Sequence, residues 1–181
     1  MTTRLTTQDW LDFALRSLAR EGFDVLKADV MARLLGVSRG SFYWHFADLR
    51  DFHSRIIDQW RERATEAIIT DIERHEAPGP RLEALLRHAF GDGAILDVRI
   101  RAWADVNAAA AEAVAQVDLR RQDYIERLLV KAGIAPTLAA TRTRLLYWTF
   151  LGAANSPAKP SGDELARIVA ELIRFALPAL E

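Results

Sequence analysis

Cysteine is absent from the 181-residue chain, which excludes disulfide bonds, thiolate catalysis and metal sites built on cysteine. No apolar run approaches the roughly 20 uncharged residues of a membrane span. No basic-then-apolar leader opens the chain. We therefore expect a protein without a membrane partner that works in the cytoplasm.

A strong net charge is also missing, since 24 lysines and arginines face 25 aspartates and glutamates. This balance argues against nonspecific coating of nucleic acid, but a local DNA-binding face remains compatible with it. The four histidines show no zinc spacing with a matching carboxylate. No serine-hydrolase, phosphate-loop or dinucleotide motif occurs. We expect no metal, no cofactor and no enzymatic activity.

Strand-like alternation is absent as well, and every segment long enough to classify has apolar residues at helical spacing. Thr6 and Asp9 form a capping-box pattern before a helix that Gly22 ends. The sequence predicts an all-α fold of about nine helices. After the first three, we expect helices from Asp48 to about His75, over about 81–90, 95–104, 108–131 and 137–154, and from a capping box at Ser161 to Pro178, with breaks at 77–80 and 91–93.

The stretch Val30–Phe52 has the pattern of a helix-turn-helix, with its turn at residues 36–38. Gly36 permits the positive φ of a sharp turn, and Ser38 is a favourable N-cap for the second helix. The residues spaced to pack inward are Val30, Met31, Leu34, Val37, Phe42 and Phe46. Between and beside the two phenylalanines, polar and aromatic side chains are left outside, where they suit a DNA groove.

The run GVSRGSFYWHF at residues 36–46 resembles the helix-turn-helix signature of the TetR family of bacterial transcriptional regulators. In that signature, Gly-Val-Ser/Thr is followed by x-Gly-Ser/Thr-apolar-Tyr-x-His-Phe and a polar pair that leads into a long helix. The resemblance extends from Trp10 to Phe52. It implies a three-helix DNA-binding domain over residues 1–47 and a helical effector-binding and dimerisation domain over residues 48–181.

Two positions depart from the family pattern. Lys27 replaces the usual threonine cap of the second helix, and Leu49, followed by Arg50, replaces a usual lysine. Both family positions tend to contact phosphate, so we expect Lys27 and Arg50 to restore those contacts. The DNA-binding residues implied are Lys27, Ser38, Arg39, Gly40, Ser41, Tyr43, Trp44, His45 and Arg50.

Aromatic residues with polar handles are spread over the later helices and suit an apolar effector pocket. The candidate pocket residues are Trp60, Phe90, Trp103, Asn107, Tyr124 and Trp148. The alternative, that these aromatics are simply core, stays open for each. Arg120 and Arg121 are expected to be solvated.

The apolar faces of the last two helices exceed what one small domain covers, and in a TetR-like protein they would form a four-helix interface of a twofold homodimer. Its candidate residues are Leu146, Phe150, Ile168, Leu172 and Phe175.

The resemblance implies a ligand-responsive regulator that binds a palindromic double-stranded operator, a repressor released by a small apolar or aromatic effector. Two recognition helices would enter successive major grooves about 34–36 Å apart. Effector binding would move the helix from Asp48 to His75 and spoil that spacing. The alternative is an all-helical binding or adaptor module that no longer binds DNA, which the weak net charge and Leu49 favour.

Overall fold

The computed structural model describes residues 5–91, 94–158, 160 and 162–177, and this part of the chain contains helices and no strand. The α-helices are α1 (Thr7–Glu21), α2 (Ala28–Leu34), α3 (Arg39–Tyr43), α4 (Leu49–Arg61), α5 (Ala67–Ile72), α6 (Pro78–Phe90), α7 (Ala94–Ala104), α8 (Ala108–Lys131), α9 (Pro136–Asn155) and α10 (Gly162–Ala176). A π-helical turn at Glu62–Glu66 joins α4 to α5 without a break. The ten segments therefore form nine continuous helices within the described residues. The predicted all-α fold of about nine helices is confirmed.

Local capping signals set the ends of the first helices. The Thr6 backbone N–H donates to the Asp9 carboxylate over 2.7 Å, and the Asp9 N–H donates to the Thr6 hydroxyl over 3.2 Å. Gly22 and Gly36 have φ values of 88° and 69°, in the left-handed region where a Cβ is costly. The predicted capping box and both glycine stops are confirmed.

The helix break predicted at residues 77–80 is present but lies earlier, at residues 73–77. Pro78 is the first residue of α6, a position where the missing N–H costs no helical hydrogen bond. Pro136 opens α9 in the same way, one residue before the expected start. The preceding helix, α5, ends at Ile72 rather than near His75. The Arg81 guanidinium donates to the Glu73 and His75 carbonyls, which follow that end.

Parts of three predictions lie outside the described residues. They are the capping box at Ser161, the Asp92 and Gly93 positions of the predicted break, and the terminating Pro178. None of the helices within the described ranges has the length and apolar character needed to cross a membrane.

The chain divides into two compact units. The first takes the chain as far as Arg63 together with Arg99–Val114, and the second comprises Ala64–Val98 and the chain from Ala115 onward. The division between residues 47 and 48 implied by the resemblance stays a proposal about function.

Aromatic side chains dominate the core of the first unit. Trp10, Phe42, Phe46, Phe52 and Trp60 are each at most 1% exposed. Burying rings of this size supplies much of the hydrophobic stabilisation of so small a unit.

The second unit has an aliphatic core with a few aromatic rings. Its buried members include Leu82, Leu86, Leu129, Leu146, Tyr147 and Phe150, packed with residues of α10 such as Val169 and Ala176. A smaller cluster joins Ile69 and Ile72 of α5 to Tyr124 and Leu128 of α8.

Candidate nucleic-acid interface

The orientation of α3 is fixed by rings on its inner side. The Phe42 ring meets Trp10 edge-on at 5.7 Å between centroids and Phe52 at 5.1 Å. Phe46, just beyond the helix, meets Phe52 at 4.8 Å. Such edge-on pairs favour one arrangement of the rings beyond their burial alone. The opposite side of α3 is therefore held towards solvent.

That outer side carries polar and aromatic groups. Trp44 is 78% exposed and Tyr43 is 51% exposed. A shallow cavity of about 300 Å³ is lined by Ser38, Gly40, Ser41, Trp44 and His45. The structure therefore brings five of the sequence-predicted DNA-binding residues to one concave surface.

Arg39 and Tyr43 are paired one turn apart on the same face. The Arg39 guanidinium donates to the Tyr43 hydroxyl over 3.3 Å and lies 5.9 Å from the centre of its ring. This hydrogen bond raises the pKa of Arg39, which therefore remains cationic. Because only one guanidinium nitrogen is used in this contact, the others remain available to phosphate or guanine.

His45 is only half exposed, and it is tied to α1. Its Nδ1 atom lies 3.1 Å from the Thr7 hydroxyl. The imidazole also lies 6.2 Å from the Trp10 ring. Thr7 was not among the predicted site residues, because the 38 residues that separate it from His45 leave no local signal.

Two local details correct the sequence interpretation of the helix-turn-helix. Leu34 is 45% exposed, because the buried stripe of α2 runs through Ala28, Met31 and Ala32 and position 34 lies off it. Ser38 occupies the N-cap position of α3, but its hydroxyl makes no capping hydrogen bond.

The two expected phosphate contacts lie on the surface. Lys27 is the N-cap residue of α2 and Arg50 lies in the first turn of α4, and both are exposed. Neither is paired with a carboxylate among the described residues. Leu49, beside Arg50, is 38% exposed.

Three of the candidate pocket residues belong to the first unit, where two of them are core. Trp60 is fully buried, and its indole N–H has no hydrogen-bond partner within the described residues. Trp103 is 2% exposed and meets the His53 ring edge-on at 5.1 Å. The Asn107 side-chain oxygen accepts from the Ala110 N–H over 2.9 Å, so this residue caps α8.

The other three candidate pocket residues belong to the second unit. Phe90 meets Phe150 edge-on at 6.3 Å. Tyr124 is buried, and its hydroxyl has no hydrogen-bond partner among the described residues. Trp148 is 63% exposed, so the expectation that it lines an interior pocket is corrected.

The five expected dimer residues differ in burial, and two of them lie in the core. Leu146 and Phe150 are 2% and 9% exposed and lie in the core of their own unit, because they share the buried stripe of α9 with Tyr147. Ile168 and Leu172 are half-buried. The remaining candidate, Phe175, is 44% exposed.

A different stripe of α9 faces solvent. Leu138, Leu145 and Trp148 are 45%, 42% and 63% exposed, and Gly152 continues the same line. Their spacings of seven, three and four residues are those of a helix–helix seam. The sequence pattern alone missed this stripe because both sides of α9 are apolar.

Two adjacent arginines of α8, expected to be solvated, hold the π-helical turn. Arg121 donates to both oxygens of Asp97 over 3.0 and 2.9 Å, and to the Ala64 carbonyl over 2.9 Å. Arg120 donates to both oxygens of Glu66 over 3.0 Å each. Burial lowers the pKa of Arg121, but the Asp97 carboxylate outweighs burial and the pKa is raised.

Residues 11–51 match the sequence model of a family described as bacterial regulatory proteins, tetR family. Over 51 residues, or 28% of this chain and 24% of the relative, the chain is 41% identical to the HTH-type transcriptional regulator AcrR of Shigella flexneri. The match therefore spans about a quarter of that relative's length.

Among solved structures, a transcriptional regulator from Rhodococcus sp. has a TM-score of 0.77 at 18% identity, over 95% of this chain and 96% of that one. A candidate transcriptional regulator from Saccharomonospora viridis, in complex with choline, has a TM-score of 0.71 at 16% identity, over 93% of this chain and 94% of that one. At these identities the likeness shows a shared fold.

Proposed function

We propose, from the premise that this chain belongs to the TetR family of bacterial transcriptional regulators, that it binds a palindromic operator as a homodimer and represses transcription until a small effector releases it. The single observation that carries the proposal is the geometry of α3. Its inner side is held by buried aromatic rings, and its outer side presents donors and exposed rings around a concave surface. Acting on bacterial DNA, it would work in the cytoplasm.

In this proposal the residues of the interface divide into two classes. Lys27 and Arg50, exposed and free of carboxylates, neutralise phosphates and supply sequence-independent affinity. Arg39, oriented by Tyr43, donates to a guanine edge. The remaining predicted contacts, from Ser38, Gly40, Ser41, Trp44 and His45, line the concave surface and lie against the groove wall.

For the homodimer we propose the exposed stripe of α9, with Phe175 of α10 as a further contact. Leu145 and Trp148 would meet the same residues of a second copy across a twofold axis, as an isologous interface requires. Gly152 would allow close approach of the two helices. This assignment replaces Leu146 and Phe150, whose side chains are already used within the protomer.

For the effector we propose a small apolar or aromatic molecule bound within the second unit. Support comes from two buried hydroxyls, those of Tyr124 and Thr143, which have no partner among the described residues. A buried polar group without a partner is costly, and an orienting contact to a ligand is one way to satisfy it. The choline complex of the Saccharomonospora viridis protein supports a small-molecule ligand in a protein of this fold.

The alternative function is an all-helical adaptor that no longer binds DNA. The observation that favours it is Leu49, a 38% exposed apolar side chain where the family pattern has a phosphate-binding lysine. The overall net charge of −1 is also low for a DNA-binding protein.

Selection of bound duplexes from a random library separates the two functions. We expect enrichment of a palindrome whose half-sites are about one helical turn, 34–36 Å, apart. Binding of the enriched duplex should weaken steeply as salt rises, because phosphate contacts release counterions. Enrichment of no sequence by the folded wild-type protein would favour the adaptor.

A further inference from the structure

We infer that Thr7 is a positioning residue for DNA recognition: its hydroxyl donates to Nδ1 of His45 and so keeps the imidazole proton on Nε2, where it faces an acceptor on DNA. The inference rests on the proposed function for its DNA partner. The tautomer itself is a property of the free protein and can be tested without DNA.

The geometry joins two elements of the first unit. The Thr7 hydroxyl, on the first residue of α1, lies 3.1 Å from Nδ1 of His45, two residues beyond α3. The ring of His45 is flanked by Trp10 and Phe46, each 6.2 Å away between centroids. The half-buried imidazole is therefore fixed in one orientation.

The position of Thr7 favours its hydroxyl as the donor. Within a helix, a threonine hydroxyl commonly donates to the carbonyl four residues earlier, as Thr141 and Thr149 do in α9. Thr7 opens its helix, so the carbonyl four residues back precedes α1. His45 is the one hydrogen-bond partner of the Thr7 hydroxyl among the described residues. We therefore assign the Thr7 hydroxyl as the donor and Nδ1 of His45 as the acceptor, since the hydroxyl has no other partner among the described residues.

A neutral imidazole carries one proton, so acceptance at Nδ1 leaves the proton on Nε2. His45 lines the concave surface with Ser41 and Trp44. An N–H at Nε2 can donate to a phosphate oxygen or to the O6 or N7 atom of guanine. The other tautomer would present a lone pair, which repels the same acceptors. Thr7 thus selects the chemical class of DNA group that His45 contacts.

Nitrogen-15 correlation spectra of the histidine rings, recorded above pH 8 on the free protein, measure the tautomer directly. We expect the wild-type His45 signals to show a proton on Nε2. Thr7→Val removes the donor with little change of shape and should give a mixture of tautomers. Thr7→Ser should retain the wild-type pattern. Thr141→Val, which removes a threonine hydroxyl from α9, is the matched control and should leave His45 unchanged.

Affinity for the selected duplex tests the consequence. Thr7→Val should weaken binding about fivefold, the effect of one hydrogen bond, while Thr7→Ser binds like wild type. His45→Gln places an amide N–H near the Nε2 position without any tautomer to control. In that background, Thr7→Val should no longer change the affinity. The unfolding midpoints of all variants establish that each is folded.

Three results would overturn the inference. A wild-type proton on Nδ1, or a Thr7→Val spectrum identical to wild type, refutes the direction of the hydrogen bond. An altered tautomer with unchanged affinity refutes the role in recognition. If the wild-type protein enriches no duplex, the proposed function and the DNA role fail together, whereas the spectrum still decides the tautomer.

Discussion

At the scale of single residues, the cations of the interface differ in how they are held. Arg39 is oriented by the Tyr43 hydroxyl and stacks on its ring, so in the proposed function little further entropy would be lost on donating to a base. Lys27 and Arg50 have no such support and can follow the irregular phosphate backbone. A side chain held in one orientation suits recognition of a specific base, and a freely moving cation suits neutralisation of phosphate charge.

Arg39→Ala should weaken binding of the selected duplex about 10- to 100-fold and relax the preference at one base pair in each half-site. Lys27→Ala and Arg50→Ala, the matched controls, should weaken all duplexes alike and reduce the slope of affinity against salt. Titrations of selected and scrambled duplexes at two salt concentrations measure both effects. Equal affinity of wild type and all three variants would show that α3 does not recognise DNA.

Single residues also show where prediction from sequence ends. The turn at Gly36 and the capping box of Thr6 and Asp9 could be predicted, because their φ values and hydrogen bonds depend on neighbours within a few positions. The ion pair of Arg121 could not be predicted, since its partner Asp97 is 24 residues away and an arginine on a helix is usually solvated. Thr7 was missed for the same reason.

At the scale of elements, the π-helical turn between α4 and α5 needs external support. A π-helical turn disturbs the regular i→i−4 hydrogen-bond register, and such turns are frequent at functional sites. Here the Ala64 carbonyl accepts from Arg121, whose side chain is 16% exposed, and Arg121 is in turn held by Asp97, 4% exposed. The turn is therefore stabilised by a nearly buried ion pair.

Arg121→Met should lower the free energy of unfolding by about 3–5 kcal/mol, because it removes the two-pronged ion pair from the nearly buried Asp97 carboxylate. Arg127→Met is the matched control on α8: its pair with Asp123 is more than half exposed and should contribute less than about 1 kcal/mol. Urea unfolding followed by circular dichroism measures both. Asp97→Leu combined with Arg121→Met should recover most of the loss, and equal small effects of the two single variants would contradict the role given to the pair.

Three carboxylates of the first unit, two of them in the first turns of α1 and α4, are held in the charged form. The backbone N–H of Thr6 lowers the pKa of Asp9, and the Arg55 guanidinium and the Ala47 N–H lower that of Asp51. Burial raises the pKa of Asp12, but hydrogen bonds from Gln8, Gln59 and Arg63 outweigh burial and the pKa is lowered.

These shifts predict acid sensitivity of the first unit. A carboxylate with a lowered folded-state pKa contributes stability above its unfolded pKa and loses it as pH falls through the folded value. Stability should therefore hold above about pH 5 and decline below about pH 4. Tryptophan fluorescence in a Trp148→Phe background monitors urea unfolding of this unit, since the remaining tryptophans lie there. Asp12→Asn should flatten the decline, and an unchanged slope would contradict the assignment.

The structure of a helix was predicted well where only one of its faces is apolar, and poorly where two of its faces are apolar. The ends of α8 agree with the sequence because alanine and then Gly133 mark them. The buried face of α9 could not be chosen from sequence, since Leu145 and Leu146 are adjacent and equally apolar. Only the packing of the second unit decides which of them is inside.

At the scale of the whole molecule, the proposed recognition of a palindrome would depend on assembly. In that proposal one α3 helix covers one half-site, and a twofold dimer sets the distance to the next. The exposed stripe of α9 places Leu138, Leu145 and Trp148 on one side of the helix, whereas Leu119, 70% exposed, stands alone on α8. Several exposed apolar residues on one helix face mark an interface, and a single exposed leucine does not.

Trp148→Glu and Leu145→Glu should raise the dimer dissociation constant about 100-fold, or about 2.8 kcal/mol, because each places an unpaired charge in the interface. Leu119→Glu is the matched control and should leave the dimer intact. Sedimentation velocity over a range of protein concentrations measures the dissociation constant. Phe150→Glu should instead unfold the second unit, because Phe150 lies in its core.

The same variants connect assembly to DNA binding. A monomeric but folded Trp148→Glu protein should lose the preference for two correctly spaced half-sites and bind a duplex with one half-site as weakly as one with two. Circular dichroism establishes that the fold is retained. A wild-type protein that is monomeric at micromolar concentration, or a Trp148→Glu variant that dimerises like Leu119→Glu, would move the interface away from α9.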